Sequence, residues 1–91
     1  SRLSKSEITQ ISPNPNNGLF QLDYYVIDPK SEVFFEIIDI TGQHVKTLQQ
    51  KSSESNKQRI EVNLNNVTSG QYLVRMLVNK QICDSKKILV N

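Results

Sequence analysis

Between Leu19 and Val26 the chain alternates cleanly, with Phe20, Leu22, Tyr24 and Val26 on one face and Gln21, Asp23 and Tyr25 on the other. Alternation with a period of two predicts a β-strand with one buried face. The pattern returns at Ile60, Val62 and Leu64. It returns again at Tyr72, Val74, Met76 and Val78, set against Gln71, Leu73, Arg75 and Leu77. Ile8 to Ile11 is short enough for an edge strand, and Ser85 to Val90 forms a last one. The most apolar run is Val33 to Ile40, reading VFFEIIDI. Turning Val33, Phe35 and Ile37 inward leaves Phe34 and Ile38 outward beside Glu36. The opposite choice would bury Glu36 without an evident partner, at a cost of several kcal/mol. The return strand after it carries Val45 with Thr47 or Leu48.

Turn residues punctuate these runs. Pro13-Asn14-Pro15-Asn16-Asn17-Gly18 combines two fixed φ angles with an Asn-Gly pair that tolerates positive φ. Asp28-Pro29-Lys30-Ser31 is a second turn, and Asp39-Ile40-Thr41-Gly42 fits a type I turn with Asp first and Gly fourth. Lys51 to Lys57 (KSSESNK) reads as a polar, flexible loop without an apolar anchor. Asn65 to Gly70 turns the chain with Val67 tucked under the core, and Asn79-Lys80-Gln81 leads into the last strand. No stretch holds a 3.6-residue period, and no internal repeat is visible. Some seven short strands predict an all-β, antiparallel sandwich of immunoglobulin-like type, with a small barrel as the alternative. Residues 1–6 read as the end of a linker and 7–91 as one domain. The start at Ser1 is read as that of a piece of a longer precursor.

Composition and charge narrow the function more by exclusion than by assignment. No apolar stretch approaches the roughly 18 residues that cross a bilayer, so direct membrane insertion is not expected. A net charge of +2, with its lysines and arginines scattered, gives no footprint for nucleic acid. His44 and Cys83 stand alone as histidine and cysteine. They permit neither a disulfide nor a closed zinc site, and no third group marks them as a catalytic pair. Cys83 reads as a small packing residue. Asp23, Asp28 and Asp39 lack calcium-loop spacing, and three isolated glycines make no phosphate loop. Asn66-Val67-Thr68 matches a glycosylation sequon, a pattern that an Asn-rich turn also produces. The chain has no Trp, so it lacks the main component of a sugar-binding platform. Neither enzyme chemistry nor a cofactor is expected.

The separators, taken in order, resemble those of a known family. Pro13-Asn14-Pro15-Asn16-Asn17-Gly18-Leu19-Phe20 is similar to the opening motif of the C-terminal sorting domains of the bacterial type IX secretion system. Ile37 to Val45, with Asp39 and Gly42, resembles the middle motif, and Val67 to Arg75, with Gly70, Tyr72 and Val74, resembles the third. Ser85-Lys86-Lys87-Ile88-Leu89-Val90 is similar to the closing motif. Gln43 stands where Arg or Lys is frequent, and Val67 where Leu is usual.

The resemblance implies a disposable address label on cargo of the Bacteroidetes lineage. Such cargo crosses the inner membrane by the general route, and in the periplasm its folded sorting domain is recognised by the outer-membrane translocon. A sortase-like cysteine peptidase then removes the domain, and the cargo is released or attached to lipopolysaccharide at the cell surface. Within that picture Pro13, Asn14, Pro15, Gly18, Asp39, Gly42 and Gly70 set turns, while Phe20, Tyr72 and Val74 fill core. Arg75, Lys86, Lys87, Ile88 and Val90 are the candidates for recognition, with the final strand at a free sheet edge. The competing reading is an accessory immunoglobulin-like or fibronectin-like module that binds or spaces within an extracellular protein.

Overall fold

The computed structural model describes residues 5–51 and 55–91. Residues 1–4 of the expected linker and 52–54 of the expected loop lie outside the described residues. Seven strands follow in chain order: β1 (Glu7–Ser12), β2 (Leu19–Tyr25), β3 (Val33–Asp39), β4 (His44–Gln50), β5 (Lys57–Asn63), β6 (Gly70–Val78) and β7 (Gln81–Val90). They form two antiparallel sheets, ordered β1-β2-β5 and β4-β3-β6-β7. The architecture is the expected immunoglobulin-like sandwich, with β4 joined to β3 in the larger sheet.

The alternating residues of both sheets meet between the layers. Phe20, Leu22, Tyr24 and Val62 from the smaller sheet pack with Val33, Phe35, Ile37, Tyr72, Val74, Met76, Ile88 and Val90 from the larger. Tyr24 and Phe35 cross edge to face at 4.9 Å, an arrangement that favours the ring quadrupoles. The Tyr72 hydroxyl donates back to the Thr68 carbonyl at 2.6 Å, so this buried phenol keeps a partner in the way of a tyrosine corner.

Three bulges explain where side chains depart from simple alternation. Ile8 and Ile11 are three residues apart yet both pack on the core, because the β1–β2 register shifts at Thr9. Between Ile37 and Ile38 the β3–β4 register shifts and Val45 drops out of the ladder. Val45 is therefore exposed, and Leu48, opposite Phe35, packs on the core. A third shift, between Met76 and Leu77, leaves Cys83 as the extra residue of β7. It packs partly buried against the core, and burial, with Asp84 beside it, pushes its thiol pKa up.

The turns follow their residues. The Gly42 amide donates to the Asp39 carbonyl at 3.0 Å, and Gly42 takes φ 89°, giving a type I turn followed by a glycine bulge. Asn79 and Lys80 both take positive φ between the paired Val78 and Gln81, as a two-residue hairpin turn requires. At Gly18, φ is 103° and a Cβ would lie 3.0 Å from the Leu64 carbonyl oxygen, so glycine is needed on both counts. Asn17 does not share that conformation, and the β1–β2 connection is a long loop instead of a tight reversal. The expected flexible loop is anchored at its far end. Asn56 donates its side-chain amide to the Val26 and Ile27 carbonyls at 2.8 and 2.7 Å, a polar tie where no apolar anchor was visible.

Candidate functional site

Four segments carry the family-like motifs, and the fold brings them to one end of the sandwich around β7. The opening segment does this by hydrogen bonding to the last strand. The Asn14 side chain behaves as a substitute ladder residue, accepting from the Leu89 amide at 3.0 Å and donating to the Lys87 carbonyl at 3.3 Å. Asn16 continues with its backbone, donating to the Leu89 carbonyl at 3.0 Å and accepting from the Asn91 amide at 2.8 Å. Its side chain is buried, with both polar atoms paired. The amide donates to the Pro13 carbonyl, and the side-chain oxygen accepts from the Gly18 amide. The Pro13–Gly18 segment, whose Ser12–Pro13 and Asn14–Pro15 peptides are cis, is thus a clasp over the free edge of β7.

This clasp revises the picture of an open final edge. β7 does lie at the edge of its sheet, but from Lys87 to Asn91 the outward backbone groups are occupied by Asn14 and Asn16. Nearer its start, the Asp84 carboxylate of β7 accepts from the Ile8 amide at 2.8 Å. Asn16 is the residue that sequence reasoning missed. Its side-chain bonds to Pro13 and Gly18 are local and were open to a turn rule, whereas its burial and its backbone bonds to Leu89 and Asn91 come only with the fold.

The candidate recognition residues separate in space. Ile88 and Val90 are core, each 2% exposed, and cannot be reached by a partner while the domain is folded. Arg75 is partly buried on the outer face of the larger sheet. It pairs with Glu36 at 3.3 Å, and His44 stands 3.6 Å from the same carboxylate. Glu36 therefore sits outward, as expected, with Arg75 across the ladder from it. Lys86 and Lys87 are both exposed but, as neighbours in a strand, point to opposite faces. Lys87, opposite Leu73, belongs to the outer face with Leu89. Ile38 has the outer-face parity expected of it, but flanked by Leu73 and His44 it is only 8% exposed.

On that outer face a groove of about 300 Å³ is lined by Ile38, Asp39, Ile40 and Gly42, by Gln71, Tyr72 and Leu73, and by Lys87. Three of the four motif segments contribute to it. The Asp39 carboxylate serves its own turn: one oxygen accepts from the Thr41 amide at 2.9 Å, the Thr41 hydroxyl at 2.6 Å and the Gln43 amide at 3.0 Å. The Thr41 hydroxyl above all, then the Gln43 amide, hold its pKa below the usual carboxylate value. A larger groove of about 530 Å³ lies on the smaller sheet, lined by Tyr25, Thr9, Lys57 and the Asp23–Arg59 pair. No motif residue lines it.

Among the described residues the two lone reactive side chains do not meet. His44 on β4 and Cys83 on β7 occupy opposite edges of one sheet, three strand spacings apart across it and further separated along it, since His44 lies level with Lys87. Among the described residues no three histidine, cysteine or acidic side chains cluster as a metal site.

The fold and its motif surface define a β-sandwich module in which the sequence motifs set turns, the clasp and a groove. The chain belongs to the secretion system C-terminal sorting domain family, whose model matches residues 10–91. Membership makes it a type IX sorting signal, a non-catalytic class, and implies interaction with that secretion system and export to the cell surface or beyond. The fold recurs among solved structures. A Pseudomonas fluorescens alkylpurine DNA glycosylase, AlkC, bound to DNA containing an abasic site analog, matches 99% of this chain with 20% identity and a TM-score of 0.66. This chain spans 31% of the glycosylase. A Bacillus anthracis protein described as a lipoprotein matches 100% of this chain and 76% of its own length, with 20% identity and a TM-score of 0.51. A search of curated proteins finds no match.

Proposed function

We propose that the folded domain is read in the periplasm by the outer-membrane translocon of the type IX system, and that a sortase-like peptidase then removes it. The observation that carries this reading is the convergence of all four motif segments of a sorting-domain chain around β7, through the Asn14 and Asn16 clasp and the adjoining groove. Motifs dispersed through the sequence form one surface only in the folded state, which favours a reader of the fold over a reader of a linear peptide. Pro13, Asn14, Pro15, Gly18, Asp39, Gly42 and Gly70 then act by shaping that surface, and Phe20, Tyr72 and Val74 by supporting it from below.

Residues 1–6 act as the linker end, joined to the sandwich where β1 begins at Glu7. A peptidase needs extended, accessible backbone, and the polar stretch Ser1 to Glu7 has the composition for it. Cleavage falls within this stretch or just upstream. Mass spectrometry of secreted cargo tests the point: the mature C-terminus is expected at or before Glu7. Cargo that still carries residues beyond Gly18 contradicts removal of the domain.

A further inference from the structure

We infer that the outer-face groove between the Asp39–Gly42 turn, β6 and Lys87 is a docking site for a protein segment that presents a bulky apolar side chain beside a carboxylate. The inference rests on the sorting function and names the surface and the partner chemistry through which it works. Three observations lead to it. The groove has an apolar floor, Ile38 and Leu73, with the Tyr72 ring beneath. Ile40 projects at its lip with 79% exposure, the most exposed large apolar side chain among the described residues, although its turn needs only the flanking Asp and Gly. Leu89, 42% exposed, lies opposite Gln71 on the same face. Exposed apolar residues grouped around a concave floor mark contact surfaces, whereas scattered ones do not.

Charge fixes the partner's polarity. Two charged groups line the groove, Asp39 and Lys87. One Asp39 oxygen is held by three donors of its own turn. The Lys87 ammonium has no ion-pair or hydrogen-bond partner among the described residues. The donors at Asp39 are neutral and leave its charge in place, so the groove holds a turn-bound anion and a free cation, and a partner carboxylate finds its complement at the Lys87 end. The Asn14 clasp holds the Lys87 and Leu89 backbone in place, so this wall of the groove is set before a partner arrives. Prior order of this kind lowers the entropy lost on binding.

Paired substitutions test the site, because each groove change has a surface control away from it. Ile40→Asp and Lys87→Glu alter the groove. Ile82→Asp, at an exposed isoleucine on the early part of β7, and Lys30→Glu, in the exposed turn before β3 and so at the other end of that strand from Asp39, do not. In a reporter fused to the domain, Ile40→Asp and Lys87→Glu are each expected to lower exported reporter about tenfold, while the two controls export like the parent. All four variants should melt with the parent, since exposed charge changes away from the core have small effects on stability. Normal export of folded Ile40→Asp and Lys87→Glu overturns the inference, and so does equal loss in the controls. A second measurement does not depend on export. Titrating the labelled domain with a pentapeptide of alternating glutamate and leucine should shift amides at Ile38–Gly42, Gln71–Leu73 and Lys87, and a lysine–leucine counterpart should not. Shifts elsewhere, none at all, or shifts produced by raising the domain's own concentration contradict the site. If the parent is not exported but the acidic peptide still lands in the groove, the sorting reading fails and the docking site stands.

Discussion

The Asp39 carboxylate accepts two backbone amides and a hydroxyl from its own turn, and Gly42 closes that turn at φ 89°. Hydrogen bonds to the charged form, with that of the Thr41 hydroxyl foremost, hold the Asp39 pKa below its ordinary 3.8. A depressed folded pKa has a defined consequence. The stabilisation is complete above the unfolded value and is lost as pH falls through the folded one. Asp39→Asn should therefore melt below the parent by a constant margin from about pH 5 to 8, and the margin should shrink below about pH 4. Thermal denaturation across that range checks the expectation, and a margin that widens on acidification contradicts it. This turn was legible in the sequence because its partners all lie within four residues. Asn16 was passed over although its side-chain bonds to Pro13 and Gly18 are equally local, because its burial under β7 and its backbone bonds to Leu89 and Asn91 arise only in the fold. A local rule finds a turn and has no access to the strand that the turn covers.

Among the elements, β7 owes its behaviour to the segment laid along it. A bare edge strand presents unpaired backbone groups to other chains, and proteins cover such edges or charge them. Here Asn14 and Asn16 cover the Lys87–Asn91 stretch, and exposed lysines accompany it. Asn14→Ala removes two of those bonds and reopens the edge at Leu89. It is expected to cost about 1–2 kcal/mol in urea denaturation, to speed hydrogen exchange at the Leu89 amide and to promote self-association at high concentration. Unchanged exchange at Leu89 would show that the clasp does not hold this edge. Strands themselves were readable wherever alternation was strict, as from Phe20 to Val26. The bulges were not, because the extra residue in a ladder is set by the partner strand. Ile8 and Ile11 therefore share a face against simple parity, and Val45 yields its packing role to Leu48.

At the scale of the whole molecule, two sheets make a stable frame and the motif segments gather at one end of it. The sandwich class was accessible from seven alternating runs and their punctuation. The sheet order was not, since β2–β5 and β3–β6 pair across long stretches of chain. That order decides which candidate residues a partner meets: Lys87 and Leu89 lie on an open face, Arg75 is engaged by Glu36, and Ile88 and Val90 are sealed inside. If this folded surface is a sufficient export signal, reporter localisation shows it. A periplasmic reporter carrying residues 1–91 at its C-terminus, in a bacterium with a working type IX system, should appear in the medium or on the cell surface. The same reporter without the domain should remain in the periplasm. Retention of an intact, folded fusion in the periplasm would contradict the account.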